Sequence, residues 1–334
     1  MSNEFAEFQT EYESAQNLER FSRRSLFLGG AALAGVVADV TLTNHLQRER
    51  SRVEIAEISD DETRERFPNN LWLIAPGFKM GWDDSRRIAE SLEPTMRQRG
   101  RIAYIGYSNK GLDTYELKTR VNSYIEQEDI QKVYLYGHSF GGMVATELAH
   151  HLQRDTDVDS ALIALDSSPS SQFDVKAKAE LHFLSLLENL HVPIPTAGRA
   201  AYELGERTVN KDERSLSDIW HQSLEQLYPG APSSQLIKSE AAYIEHFDPR
   251  EFPLASRTDV SMLANMADET VNISSATKHW SEYLKDAFKE VYWTNGARPA
   301  HASPFWNEEI YNHKLKILQA TLLPLGYYRY RKFY

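Results

Sequence analysis

The chain has 334 residues and no cysteine. The side chain best placed to act as a nucleophile is Ser139, in Gly137-His138-Ser139-Phe140-Gly141-Gly142. A serine hydroxyl is weakly nucleophilic, so it needs a base to take its proton and a sharp turn to expose it. Glycines two residues either side suit such a turn, because a strand and a helix can then approach without a Cβ between them. Val133 to Tyr136 reads as a buried strand before the serine, and Val144, Ala145, Leu148, Ala149 and Leu152 form one helix face after it. The start of that helix would aim free N–H groups and the positive end of its dipole at the serine, which favours negative charge on oxygen. A phosphate-binding loop also follows a strand, but the Gly-Lys-Ser or Gly-Lys-Thr ending is missing here. The lack of cysteine excludes a thiol nucleophile, a thiolate zinc site, an iron–sulfur cluster and a disulfide framework.

These residues need a scaffold, and the apolar runs supply one. Leu71 to Ala75, ended by Pro76-Gly77, is a continuous apolar stretch of the kind that forms a strand buried on both faces. Ile102 to Gly106, Val133 to Tyr136, Ala161 to Leu165, Val260 to Ala264 and Glu290 to Trp293 repeat that signature, and Val53 to Ile58 alternates like an edge strand. Helical patterns separate them, including Thr114 to Gln127. Strands joined by helical crossovers of one hand predict an α/β domain built on a doubly wound, mostly parallel sheet. The segment from Ser167 to Asp259 is too long for one crossover and carries helical patterns at Ala177 to Leu190 and Leu216 to Leu227. The expected organisation is a core of residues 53–166 and 260–325, a helical cap insertion at 167–259, a linker at 39–52 and an aromatic, basic tail at 326–334.

With strand, turn and helix around Ser139 in this order, the chain resembles the α/β-hydrolase superfamily of esterases and lipases. The resemblance implies the chain order serine, acid, histidine, with no cofactor and no metal. Of eleven histidines, His301 follows the strand ending at Trp293 by a short turn and precedes a helical pattern, so it is the expected base. Asp268, in the loop after Val260 to Ala264, is the expected acid; Asp166 and then Glu269 are the rivals. The loop after Leu71 to Ala75 holds the superfamily's oxyanion position, with Pro-Gly in place of the usual His-Gly. The backbone amides of Phe78 and Phe140 are the donors it implies. The insertion occupies the place of the superfamily's cap, and Leu181, Phe183, Leu184, Leu186, Leu187, Trp220 and Leu224 there belong either to its own core or to an acyl pocket. The expected substrate is a small-molecule or lipid ester, or a thioester. Acyl transfer or perhydrolysis by the same residues is the alternative within enzymes, and a binding protein on a hydrolase scaffold is the alternative outside them. The motifs leave the acyl group and the oligomeric state open.

The net charge of −11 argues against a nucleic-acid partner, which requires clustered Lys and Arg. Near the N-terminus, Ser22-Arg23-Arg24-Ser25-Leu26-Phe27-Leu28 precedes a run of Gly, Ala, Leu and Val ending at Ala38. It resembles a twin-arginine export signal, which implies a bacterial cell and a protein exported or anchored on the outer side of the cytoplasmic membrane, or a cytoplasmic one if the signal does not function. Glu4, Glu7, Glu11 and Glu13 depart from the usual positive character of such a leader. The apolar run is short for a spanning helix, which needs about 20 residues. The tail Gly326 to Tyr334 combines rings and cations suited either to a membrane surface or to a helix end packed on the domain. If residues 1–38 act as this signal, replacing Arg23 and Arg24 by Lys will block export, read as retention of the full-length chain in the cytoplasmic fraction.

Overall fold

In a computed structural model, residues 50–188, 232–255, 257–301 and 303–323 are described. The expected leader, the pattern Leu216 to Leu227 and the aromatic tail lie outside them. The elements run β1 (Glu54–Glu57), α1 (Asp61–Arg66), β2 (Asn70–Ala75), α2 (Trp82–Met96), β3 (Arg101–Gly106) and α3 (Thr114–Gln127). They continue as β4 (Lys132–His138), α4 (Phe140–Asp155), β5 (Asp159–Asp166), α5 (Lys178–Leu186) and α6 (Ser234–His246). The described chain closes with β6 (Asp259–Ala264), α7 (Ile273–Leu284), β7 (Phe288–Trp293) and α8 (Glu308–Leu322). No helix among the described residues is long and apolar enough to cross a membrane.

The described strands form a sheet of order β1-β3-β2-β4-β5-β6-β7. Only β1 is antiparallel to its neighbour, and the other described pairings are parallel. Side chains alternate across each strand, so β2 sends Leu71, Leu73 and Ala75 to one face and Trp72 and Ile74 to the other. The first face packs on α3, α4, α6 and α7 through residues such as Val121, Val144, Ile237 and Trp280. The second packs on α2 and α8 through Ile88, Leu92, Tyr311 and Leu315. Helices therefore cover both faces, which is why the strands read as continuous apolar runs rather than alternating ones.

Several boundaries differ from those the sequence suggests. Strand β5 begins at Asp159 rather than Ala161, because Asp159 and Ser160 pair with Lys132 and Val133 of β4 despite their polarity. Strand β7 begins at Phe288, which pairs with Val260, rather than at Glu290. Strand β6 takes in Asp259, the last residue assigned to the insertion. Helix α5 stops at Leu186 instead of running to Leu190. Of its apolar residues, Leu181 and Leu184 are in the core at 5% and 9% exposure, while Phe183 and Leu186 are 61% and 64% exposed. Core packing therefore accounts for Leu181 and Leu184 but not for Phe183 and Leu186.

The sheet and α4 meet most closely at Gly137 and Gly141. A Cβ on Gly137 would overlap the backbone of Gly141 and Gly142, and one on Gly141 would overlap the carbonyl oxygens of Ala75 and Pro76. These neighbours are main-chain atoms of α4 and of the end of β2 with the residue after it, so they cannot yield as a flexible side chain would. Gly141→Ala should lower unfolding free energy in urea by about 3 kcal/mol or more, above the common range for overpacking, because a backbone crossing must open.

Candidate active site

Ser139 sits between β4 and α4 with φ 51° and ψ −122°, a conformation that L-residues rarely adopt and that marks a tightly constrained turn. Its amide donates to the Asp166 carbonyl at 2.7 Å, fixing the turn to the end of β5. From the loop after β7, the Nε2 of His301 lies 3.0 Å from Ser139 Oγ. The other ring nitrogen, Nδ1, is 2.7 Å from Asp268 Oδ2 in the loop after β6. A carboxylate only accepts, so Nδ1 carries the proton and donates to Asp268, and Nε2 is left to accept from the Ser139 hydroxyl. Asp268 Oδ1 also accepts from the Thr270 and Val271 amides at 2.9 and 2.7 Å. Residues 139, 268 and 301 thus converge on one hydrogen-bonded line.

Asp166, the first rival acid, occupies a different place. Its Oδ2 accepts from the Tyr136 hydroxyl at 2.7 Å and from His138 Nδ1 at 2.6 Å, fully buried behind the turn. The His138 and His301 rings are 5.6 Å apart between centroids. Asp166 therefore braces the turn from below rather than bonding His301, whose Nδ1 is taken by Asp268 and not by the adjacent Glu269. Of the other described histidines, His313 lies on α8 and five have partners away from Ser139. His150 bonds the Pro253 carbonyl, His151 bonds Asp155, His182 bonds Glu245, His246 bonds the Ala242 carbonyl and His279 bonds Asp174.

Burial disfavours the imidazolium of His301, but the charge and hydrogen bond of Asp268 outweigh it, and Asp166 adds to them. The result is a pKa above the ordinary histidine value, with the Lys176 cation opposing the rise. Burial likewise disfavours the Asp268 carboxylate, yet His301 and the two backbone amides hold its pKa below the usual carboxylate value. Both shifts favour the charged pair that forms when the imidazole takes a proton.

Two residues that sequence patterns do not flag align the loops. Asn265, 3% exposed, donates from Nδ2 to the Ala297 carbonyl at 3.1 Å and accepts the Ala267 amide at 3.1 Å, tying the Asp268 loop to the His301 loop. Lys176, at the start of the insertion, donates from Nζ to the Asp268 carbonyl at 2.5 Å, and its amide donates to Thr270. The only early signal of Asn265 is its position immediately after a buried strand.

The amides of Phe78 and Phe140 donate to no other group among the described residues. Phe140 is the first residue of α4, where N–H groups lack helical acceptors. Phe78 lies in a tight turn closed by Met80 N–H on the Gly77 carbonyl, 3.3 Å, with the Gly77 amide on Met80 Sδ at 3.2 Å. Among the described residues no group of three or more His, Asp or Glu is arranged to hold a metal ion.

This sheet order, with a serine on the strand-to-helix turn after a central strand, is that of the α/β hydrolases. Solved structures share it at the level of fold. A hydrolase from Pseudomonas aeruginosa PA01 superposes with TM-score 0.56 at 12% identity, covering 81% of this chain and 94% of that one. A Paleococcus ferrophilus monoacylglycerol lipase gives 0.54 at 15% identity over 80% and 99% of the two chains. The enol-lactonase from Burkholderia xenovorans LB400 gives 0.56 at 12% identity over 81% and 96%. Within that class, residues 113–289, more than half of the chain, match the model of the thioesterase domain, and the chain belongs to that family. No curated protein matches it in sequence.

If His301 is the base, kcat/KM will rise with pH along a limb set by its deprotonation, above the ordinary value near 6.5. Asp166 stabilises the imidazolium, so Asp166→Asn should move that limb to lower pH. Lys176 destabilises it, so Lys176→Gln should move the limb to higher pH. Paired pH–rate profiles check both signs.

Proposed function

We propose that the protein is a serine hydrolase that cleaves carboxylic esters or thioesters through an acyl-enzyme. The observation that carries this reading is the unbroken line from Ser139 Oγ to His301 to Asp268, at 3.0 and 2.7 Å. In the first half-reaction, Ser139 Oγ bonds the carbonyl carbon while its proton passes to His301 Nε2. The carbonyl π electrons move to oxygen, where the Phe78 and Phe140 amides would receive the charge. Collapse expels the alcohol or thiol, which takes the proton from His301, and leaves the acyl group on Ser139. Water then attacks that ester, giving its proton to His301. A second collapse returns the proton to Ser139 and releases the acid. Asp268 holds the imidazole in the required tautomer and stays ionised throughout.

Membership of the thioesterase domain family supports including thioesters with oxyesters in this reading. The chemistry of the residues allows another acceptor to replace water in the second half-reaction, and nothing in their geometry favours it. The insertion at 167–259 serves on this reading as the cap over the acyl site, and the leader as the device that carries the enzyme across the cytoplasmic membrane.

The test is a fluorophosphonate probe together with a panel of acyl oxyesters and thioesters graded by chain length. The wild-type protein should label covalently and turn over at least one acyl series. Ser139→Ala should abolish labelling and lower kcat/KM by about 10³-fold or more. Labelling that persists in Ser139→Ala, or a wild-type protein inert to both probe and panel, would overturn the assignment.

A further inference from the structure

The helix that returns from the insertion reaches Phe140, one of the two residues proposed to supply the oxyanion donors, and Lys79, the neighbour of the other. On α6, Glu240 is fully buried, and its Oε2 accepts the Lys79 amide of the loop after β2 at 3.1 Å. One turn further along the same face, the Tyr243 ring meets Phe140 edge-on, 5.5 Å between centroids and 90° between planes. Tyr243 is itself held, because its hydroxyl donates to Glu147 Oε2 at 2.5 Å and Lys118 pairs with Glu147 Oε1 at 2.5 Å.

The loop contact bears directly on where the Phe78 N–H points. That N–H shares a rigid peptide plane with the Gly77 carbonyl, which accepts from Met80. The next plane carries the Lys79 N–H, which Glu240 accepts, and Lys79 has φ 62°, in the left-handed region. Two successive planes are therefore pinned, one from within the loop and one from α6. A backbone residue in the left-handed region costs free energy in an L-amino acid, so without an outside acceptor the turn has less to keep it there.

We infer that Glu240 is a positioning residue for the reaction. By accepting the Lys79 amide, it holds the loop in the conformation that presents the Phe78 amide to the developing oxyanion. The inference rests on the serine hydrolase reading for its catalytic consequence, but not for the contact itself. Through α6 the insertion is thus joined to the loop that carries the Phe78 amide, beyond any part it has in shaping the acyl site.

Three variants of the full chain test this. Glu240→Met keeps length and removes the acceptor, Glu240→Gln keeps an acceptor oxygen, and Glu240→Ala is the truncation. Expected for Glu240→Met is a kcat lower by about 10- to 100-fold, below the loss for removing an oxyanion donor outright, with KM within about twofold. Glu240→Gln should recover most of the rate. Amide hydrogen exchange at residues 77–80 should quicken in Glu240→Met and Glu240→Ala while β4 stays protected, and should remain slow in Glu240→Gln. Wild-type kcat in Glu240→Met, or unchanged exchange at 77–80, would overturn the proposal. A general structural role would lower melting temperature and raise KM together without rescue by Gln, which would also overturn it. If the wild-type chain hydrolyses nothing, the functional reading fails, yet the exchange measurement still decides whether Glu240 holds the loop. If Glu240→Met fails to fold, the comparison of Glu240→Gln with Glu240→Ala serves in its place.

Discussion

The close crossing of β4 and α4 over the end of β2 is the constraint from which the site follows. Gly141 lies against the carbonyls of Ala75 and Pro76, and Gly137 lies against Gly141 and Gly142. With the chain pressed this tightly, the residue between strand and helix has little choice of conformation, and Ser139 is forced to φ 51°. Such a conformation costs on the order of 1–3 kcal/mol and persists only where its surroundings over-determine it. Here they do so through the Asp166 carbonyl on the Ser139 amide and through the packed face of α4, with Val144, Leu148 and Leu152 buried. The same crossing brings the loop after β2 beside the start of α4, so Ser139 and the residues Phe78 and Phe140 come to one place.

Asp268 and His301 arrive from the other half of the sheet, on separate loops after β6 and β7. Parallel strands bring their C-terminal ends to one edge, so residues far apart in sequence emerge side by side. Strand ends alone do not fix side chains to a few tenths of an ångström. Asn265 does part of that work by bonding both loops, and Lys176 holds the Asp268 main chain from the insertion. Behind them, the buried Tyr136, His138 and Asp166 group supplies a negative charge near His301 at a distance where it acts through space rather than by a shared proton. Two carboxylates thus act on one imidazole, one by direct contact and one by field.

Much of this was legible in the sequence, and the missing parts share a cause. The runs at Leu71, Ile102, Val133, Ala161 and Val260 are readable because strands covered on both faces have no polar positions to confuse the pattern. The turn at Ser139 is readable because close backbone approach demands glycine at fixed offsets. His301 and Asp268 could be singled out only by their place after strands, given the order that the superfamily resemblance supplies. The polar Asp159 and Ser160 hide the start of β5 from any apolar pattern, and only pairing with β4 shows that they belong to it. Glu240 and Asn265 were invisible for a different reason. A buried polar residue is justified by its partner, and the partner of Glu240 lies 161 positions away. No local pattern encodes such a pair.

The insertion enters and leaves the core at two separately fastened points. At its start, Val175 bridges to Val271 and Lys176 bonds the Asp268 loop. At its return, Ser233 bonds Asn109, Ser239 accepts the Leu112 amide and Glu240 accepts that of Lys79. On the hydrolase reading, both ends of the insertion are thus tied to loops that carry the proposed reacting groups. A substitution at one of these anchor residues would then reach the loops of the site from a distance, through the main chain and not through any contact with substrate.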